Sequence, residues 1–186
     1  MEKHTMYLGF GSNLGNRHEN LRHALELVEQ RVGHILRVST IYETSPWGFD
    51  SENMFLNCVI CCETLLTPRE VLTAVKQIER EMGRQQPPVY SLQSTVNSRQ
   101  PTVNSRQSTV NSHDSAVGSQ KSSRQYTDRP IDIDILLYDN MTVDEPDLKI
   151  PHPLMHERLF VMLPLEELLK KDDALDASYK KAILNK

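Results

Sequence analysis

The run R-P-I-D-I-D-I-L-L-Y at residues 129–138 constrains the fold more than any other segment of the chain. It is short and rich in β-branched residues, so it predicts a β-strand rather than a helix. Side chains alternate between the two faces of a strand, so Asp132 and Asp134 point one way while the isoleucines between them point the other way. The fold must therefore contain a sheet in which one face of this strand packs against the core and the other face presents two carboxylates.

Two neighbouring carboxylates repel each other unless something compensates their charge. A hard divalent cation would do so, and Mg²⁺ held by one or two carboxylates usually comes with substrate phosphates. The alternative is a strand with one solvated acidic face, which antiparallel sheets allow. From their spacing alone, Asp132 and Asp134 are thus either metal ligands or surface acids.

Length and charge narrow the class of protein. The 186 residues suit a single domain spanning 1–186, and the net charge of −4 argues against a general nucleic-acid binder. The sequence has no apolar stretch long enough for a membrane span, and its first residues lack the apolar core of a signal peptide. We therefore expect a cytoplasmic protein with no membrane or nucleic-acid partner.

The composition changes abruptly at residues 85–125. The unit S-T-V-N-S-R-Q at 94–100 recurs with Pro in first place at 101–107 and begins again at 108–112. One apolar position in seven cannot form the two-position seam of a coiled coil. Polar residues dominate the segment and cannot offset the entropy of ordering, so we expect a flexible, disordered insert that arose by tandem duplication. Its arginines could still contact a polyphosphate, and these are Arg99, Arg106 and Arg124.

Three cysteines crowd into residues 57–62. The C-x-x-C spacing of Cys58 and Cys61 could indicate a redox pair or half a zinc site. The run 55–65 has the pattern of a strand, however, which places Cys58 and Cys61 on opposite faces, and there is no second cysteine cluster. We interpret Cys58, Cys61 and Cys62 as small buried core residues.

Hydrophobic periodicity predicts four strands and three helices outside the insert. Thr67, Pro68 and Glu70 form a capping box at the start of the second helix, and Gly83 ends it. In chain order we expect a strand at 5–10, a helix at 18–32, strands at 34–43 and 55–65, a helix from 68, a strand from 131, and a final helix from about Pro153 that Pro164 bends or breaks. The order β-α-β-β-α-β is that of a ferredoxin-like α+β sandwich with an antiparallel sheet.

Seven short motifs, taken in order, resemble one enzyme family. They are G-S-N-L-G at 11–15, Y-E-T-S-P-W-G at 42–48, F-L-N at 55–57, I-E and G-R at 78–79 and 83–84, R-P-I-D-I-D at 129–134, and I-P-H at 150–152. Between about residue 6 and about residue 165 the chain resembles the 6-hydroxymethyl-7,8-dihydropterin pyrophosphokinases of folate biosynthesis. That resemblance implies transfer of the β,γ-pyrophosphoryl group of ATP to the pterin hydroxyl with release of AMP, by a cytoplasmic enzyme that we expect to be a monomer.

The resemblance also implies roles for particular residues. Asp132 and Asp134 would hold two Mg²⁺ ions and act in catalysis together with Arg84 and Arg129. The implied nucleotide-binding residues are Glu79, Arg84, Arg129, His152 and Arg158. The implied pterin-binding residues are Gly11, Thr44, Trp47, Phe55, Asn57 and Phe160.

Other interpretations of these residues stay open from the sequence. Without the family, Phe160 has the spacing of a core residue, Gly11 that of a turn residue, and Arg158 could lie on a solvated face. His152 and His156 are four apart, but the flanking prolines argue against a helical metal site. The chain departs from the family in its insert, which stands where a compact catalytic loop is usual.

Two further hypotheses on function compete with the pyrophosphokinase. One is a non-catalytic ferredoxin-like module that binds a partner through the insert. The other is a different Mg²⁺-dependent nucleotidyl or phosphoryl transferase. A P-loop NTPase is disfavoured, since the sequence contains no G-x-x-x-x-G-K-[ST] loop.

Overall fold

The structure of the protein is a computed structural model that describes residues 2–84, 127–170, 175 and 177–184. The described residues form one compact unit. The repeat insert and its arginines lie outside the described residues, so our expectations for its conformation and role stay predictions.

The described elements follow the predicted order, with additions near the C-terminal end. They are β1 (His4–Ser12), α1 (Arg17–Arg31), β2 (His34–Val38), β3 (Tyr42–Thr44), β4 (Phe55–Thr64), α2 (Pro68–Glu81), β5 (Asp132–Tyr138), β6 (Val143–Asp144), β7 (Lys149–Ile150), a 3₁₀ turn (Met155–Glu157), α3 (Leu159–Leu169) and α4 (Ala177–Leu184). The capping box of α2 is confirmed: the Thr67 hydroxyl accepts from the Glu70 N–H, and the Glu70 side chain accepts from the Thr67 N–H.

The main sheet has the strand order β2-β4-β1-β5, and all of its pairings are antiparallel. The short strand β3 also pairs with β4, at Tyr42–Thr44, and β6 and β7 form a separate two-stranded sheet. With helices after the first and third long strands, this is the predicted ferredoxin-like α+β arrangement. The predicted fold class is confirmed.

Both faces of the sheet are covered, but unequally. On one face, α1 and α2 pack against side chains of the central strands such as Leu8 and Ile60, and form the larger core. On the other face, Tyr7, Val59 and Leu136 pack against α3 and α4. The end of this second face, where β1 carries Gly9 and Gly11, borders a cleft.

The cysteines belong to the core, as predicted. Cys58 and Cys62 lie in the cluster on the α1 and α2 side, whereas Cys61 lies in the cluster on the opposite face. Burial raises the pKa of Cys58 and of Cys62 to about 12. These thiols are therefore protonated in the folded protein at neutral pH and are poor nucleophiles.

Two predicted elements differ from the structure. The strand expected at 34–43 is split into β2 and β3, because the Ser39 hydroxyl accepts from the Val59 N–H at 2.9 Å and takes the place of a backbone partner. The last helix begins at Leu159 rather than near Pro153, and Pro164 does not break it, since Pro164 lies within α3, which continues to Leu169. A bend at Pro164, the other expected effect, stays a prediction. No helix among the described residues is long and apolar enough to cross a membrane.

Candidate active site

Asp132 and Asp134 lie side by side on the cleft face of β5, as their spacing predicted. Ile133 and Ile135 point into the opposite core, and both carboxylates line the cleft. Their partners on β1 are glycines, with Asp132 opposite Gly11 and Asp134 opposite Gly9. Because glycine has no side chain, the space in front of the two carboxylates stays open.

Neighbouring side chains pack close to both glycines, most tightly at Gly11. A Cβ on Gly11 would lie 3.2 Å from Oδ1 of Asn57 and 3.4 Å from the Phe55 ring. A Cβ on Gly9 would lie 3.4 Å from the Leu136 side chain. These two glycines form the floor of the cleft. The sequence interpretation included Gly11 but missed Gly9, although two glycines at alternate positions of an apolar strand are a usable signal.

Arginines surround the carboxylates. Nη2 of Arg129 donates to Oδ2 of Asp132 at 2.6 Å, Nη1 of Arg84 donates to Oδ1 of the same carboxylate, and Nη1 of Arg158 lies 3.7 Å from Oδ2 of Asp134. Burial acts to raise the pKa of Asp132, but Arg129 and Arg84 more than offset it and lower the pKa to about 2. Asp132 is thus ionised, and three guanidinium groups, which suit the oxygens of an anionic ligand, lie beside the carboxylate pair.

Glu79 lies beneath this cluster rather than at the cleft surface. It is 2% exposed, and its carboxylate accepts from the backbone N–H of Ile133 at 2.7 Å, from Lys76 and from Arg84. Burial raises the pKa of Glu79, against the opposing influence of Lys76 and Arg84. Glu79 therefore joins α2 to the start of β5 and orients Arg84, and its predicted contact with a nucleotide stays a prediction.

The other end of the cleft is aromatic. Its lining includes Trp47, Phe49, Phe55 and Phe160. The Arg158 guanidinium lies 4.6 Å from the centre of the Trp47 ring and 5.9 Å from that of Phe160. Phe49 meets Phe55 edge to face at 6.2 Å between ring centres. This wall suits a flat ring system, which stacks on aromatic faces.

Polar groups at the aromatic end can form hydrogen bonds with the edge of such a ring. Nδ2 of Asn57 donates to the Thr44 hydroxyl at 2.8 Å, and Asn57 is 4% exposed. Thr44 and Asn57 also line the cleft. A buried amide that is fixed in this way offers a defined hydrogen-bonding pattern to a ligand. The six predicted pterin-binding residues thus line one cleft, while Phe49 was missed because nothing in its local sequence distinguishes it from other loop aromatics.

His152 lies at the back of the carboxylate pair. Its backbone N–H donates to the Leu136 carbonyl at 3.0 Å, and its Nδ1 accepts from the Leu154 N–H at 3.3 Å. Burial lowers the pKa of His152, although the charge of Asp134 acts in the opposite direction. A neutral imidazole close to Asp134 is therefore expected at neutral pH.

The donor set at Asp132 and Asp134 fits Mg²⁺. Among the residues that the structure describes, no group of three or more His, Cys, Asp or Glu side chains could hold a metal ion. Zinc and calcium sites built from protein ligands need such groups, whereas Mg²⁺ usually takes one or two carboxylates and completes its shell with water and substrate phosphates. Two same-face carboxylates at a cleft, with arginines beside them, fit the second kind of site.

The low pKa of Asp132 predicts how stability responds to acid. The folded-state pKa, about 2, lies below the ordinary value of 3.8, so the contribution of this carboxylate is complete above the ordinary value and is lost as the pH falls through the folded-state pKa. We expect urea unfolding between about pH 6 and about pH 2 to show a loss that is about 2 kcal/mol larger in the wild type than in Asp132→Asn. Equal losses in the two proteins would contradict the ion pairs described above.

Solved structures with a similar fold are known. The chain resembles two structures titled "Crystal structure of Plasmodium falciparum HPPK-DHPS wild type with STZ-DHP" and "Crystal Structure Analysis of the HPPK-DHPS in complex with substrates", with TM-scores of 0.61 and 0.57. Both are 15% identical in sequence and are matched over 99% of this chain but only 43% and 44% of theirs, so the chain spans less than half of these proteins. At this identity the likeness supports the fold alone.

Sequence relatives are closer. A Porphyromonas gingivalis protein named "2-amino-4-hydroxy-6-hydroxymethyldihydropteridine pyrophosphokinase" is 38% identical over 164 residues, which cover 88% of this chain and 89% of the relative. A Bacillus subtilis protein of the same name is 31% identical over 166 residues, covering 89% and 78%. The sequence model of the family described as "7,8-dihydro-6-hydroxymethylpterin-pyrophosphokinase (HPPK)" matches residues 7–100 and 97–170. The chain therefore belongs to the 7,8-dihydro-6-hydroxymethylpterin-pyrophosphokinase family.

Proposed function

We propose that this protein transfers the diphosphoryl group of ATP to the hydroxyl of 6-hydroxymethyl-7,8-dihydropterin and releases AMP, as a step of folate biosynthesis. Family membership supports this reaction. The observation that carries it is the two-part cleft, in which an aromatic end with Asn57 adjoins an end with Asp132, Asp134 and arginines. A pterin and a polyphosphate thus have adjacent, chemically matched places.

The arginines are the proposed phosphate ligands. Arg129 and Arg158 are almost buried beside the carboxylates, and Arg84 reaches Asp132 from the end of α2. A guanidinium matches the geometry of phosphate oxygens and does not lose its charge. In the free protein these groups pair with the aspartates, which holds them in place before the nucleotide arrives.

Asp132 and Asp134 would hold the two Mg²⁺ ions that accompany the nucleotide. When bound, the metal would neutralise charge on the phosphate oxygens. His152 is proposed to contact the nucleotide from behind this pair, and Glu79 to act mainly by orienting Arg84 and β5.

The aromatic end would bind the pterin. Phe55 and Phe160 would stack on the faces of the pterin ring, and Trp47 and Phe49 complete the aromatic wall. Asn57 and Thr44 would form hydrogen bonds with the polar edge of the ring. The hydroxymethyl group would then face Asp132 and Asp134 across the floor formed by Gly9 and Gly11.

The protein's contribution to the reaction is alignment and charge stabilisation. A bond forms between the hydroxymethyl oxygen and the β-phosphorus, and the bond between that phosphorus and the oxygen shared with the α-phosphate breaks. The hydroxyl proton is released and AMP leaves. The arginines stabilise charge on the transferred group throughout, so the polypeptide itself need form no covalent intermediate.

Product analysis tests the proposal directly. Purified protein is incubated with ATP, Mg²⁺ and the hydroxymethyl-dihydropterin, and AMP, ADP and the pterin diphosphate are separated and quantified. We expect AMP and the pterin diphosphate in equal amounts, and neither when the pterin is omitted. Release of ADP without pterin would favour another phosphoryl transferase, and absence of turnover would favour a non-catalytic binding module.

The predicted cytoplasmic location and monomeric state are part of the same proposal. Both substrates are small molecules, and the residues assigned to them lie within one chain. Gel filtration over a range of protein concentrations, with and without ATP, tests the monomer.

A further inference from the structure

Asp128, just before the cleft arginine Arg129, forms hydrogen bonds with two other loops. Its Oδ1 accepts from Nδ2 of Asn13 at 2.6 Å, and its Oδ2 accepts from Nδ2 of Asn53 at 2.5 Å. The Ser51 hydroxyl is a further hydrogen-bond partner, and these hydrogen bonds lower the pKa of Asp128, that from Ser51 contributing most. An ionised carboxylate thus ties the loop after β1 and the loop before β4 to the segment that leads into β5.

Asn13 extends this connection to the backbone of Arg129. Asn13 is 2% exposed, and its Oδ1 accepts from the Arg129 N–H at 2.8 Å. Its own backbone N–H donates to the Arg129 carbonyl at 3.2 Å, and its Nδ2 also reaches the Asn53 carbonyl at 3.4 Å. Hydrogen bonds that share the same few side chains in this way, here mostly part-buried, limit how far one partner can move without the others.

The connected segments contribute residues to both ends of the cleft. The loop that contains Ser51 and Asn53 also contains Trp47 and Phe49, which belong to the aromatic wall. Arg129 reaches Asp132 with its guanidinium and lies 5.2 Å from the centre of the Phe55 ring. A ligand that orders the loop would therefore also restrict Arg129, and a ligand of Arg129 would restrict the loop.

We propose that Asp128 is a positioning residue that couples the aromatic end of the cleft to its phosphate-binding end. Through Asn13 and Asn53 it makes the binding of either substrate favour the binding of the other. This inference rests on the proposed function, because the two ligands are those of the pyrophosphokinase reaction. Coupling between sites is reciprocal, so it can be measured in either direction.

The test measures pterin affinity with and without a nucleotide. The probe is an ATP analogue with a methylene bridge between its α- and β-phosphates, with Mg²⁺, and affinities are measured by calorimetry. We expect the analogue to strengthen pterin binding by about fivefold or more in the wild type. In Asp128→Ala this gain in affinity should fall below about twofold. Asp128→Asn should keep most of the gain, because its amide keeps an acceptor for Asn13 and can pair with a rotated Asn53 amide.

A second variant and a control distinguish coupling from general damage. The double variant Ser51→Ala/Asn53→Ala removes both side-chain hydrogen bonds from the loop to Asp128 and leaves that of Asn13 intact. Adding Asp128→Ala to it should lose no more coupling than Asp128→Ala alone. Asp144→Ala, an exposed aspartate on β6, should keep the wild-type gain.

An unchanged gain in Asp128→Ala or in Ser51→Ala/Asn53→Ala, or no gain in the wild type, would overturn the positioning role. If the wild type also makes no AMP in the product analysis, the proposed function itself has failed. Turnover by the wild type together with an unchanged gain in the variants would leave the proposed function standing and reject only the role of Asp128.

Discussion

The variant Asp134→Asn is expected to form AMP about 10³-fold more slowly than the wild type, at saturating ATP and pterin. The amide keeps the shape of the side chain but removes the charge that faces Arg158 and that would bind Mg²⁺. A charged group that stabilises a phosphoryl-transfer transition state is worth several kcal/mol, and each 1.36 kcal/mol corresponds to about tenfold in rate.

This loss should occur without unfolding. The Asp134 side chain is 34% exposed and lies 3.7 Å from Arg158, whereas that of Asp132 is 16% exposed and bonded by two arginines. Asp134→Asn should therefore keep the wild-type thermal midpoint to within a few degrees. Asp144→Asn, the same change on the exposed strand β6, serves as the matched control and should keep full activity. A fall of less than about tenfold in Asp134→Asn would contradict the role given to this carboxylate.

Replacing Glu79 by alanine should lower the free energy of unfolding by about 3 kcal/mol. The substitution leaves the Ile133 N–H without its acceptor and removes the buried counter-charge of Lys76 and Arg84. Because the same change frees the start of β5 and Arg84, AMP formation should also fall markedly. Urea unfolding and the product assay measure the two effects.

Two other glutamate variants separate the causes. Glu79→Gln retains an acceptor for Ile133 and should recover part of the stability, but not the pairing of charges with Arg84. Glu81→Ala, at the end of the same helix, removes an exposed partner of Arg31 and should change stability little. If Glu79→Ala unfolds at the same urea concentration as the wild type, then Glu79 does not join α2 to β5 in the way described.

The parts of the fold that the sequence predicts well are those with local causes. Alternation along residues 131–135 placed the two carboxylates on one face, and the capping box at Thr67 located the start of α2. The opposite faces of Cys58 and Cys61 follow from the same alternation. Each of these features depends on residues within a few positions of one another.

The features that the sequence does not reveal depend on contacts between distant segments. The Ser39 hydroxyl splits the second strand only because Val59 lies beside it, and Glu79 becomes a buried link only because Ile133 presents its N–H. The hydrogen bonds of Asp128 join positions 13, 53 and 128, which no local pattern relates. Periodicity likewise identified Phe160 only as apolar, and its place in the cleft follows from the packing of α3.

The most direct test of a shared role for Asp132 and Asp134 is a titration of nucleotide affinity against Mg²⁺. The methylene-bridged ATP analogue is bound to the wild type and to Asp134→Asn, first in a chelator and then at rising Mg²⁺. We expect the wild-type affinity to rise by about tenfold or more and that of the variant to rise by less than about twofold. An equal rise in both proteins would show that Asp134 does not bind the metal that accompanies the nucleotide, and would contradict the shared role.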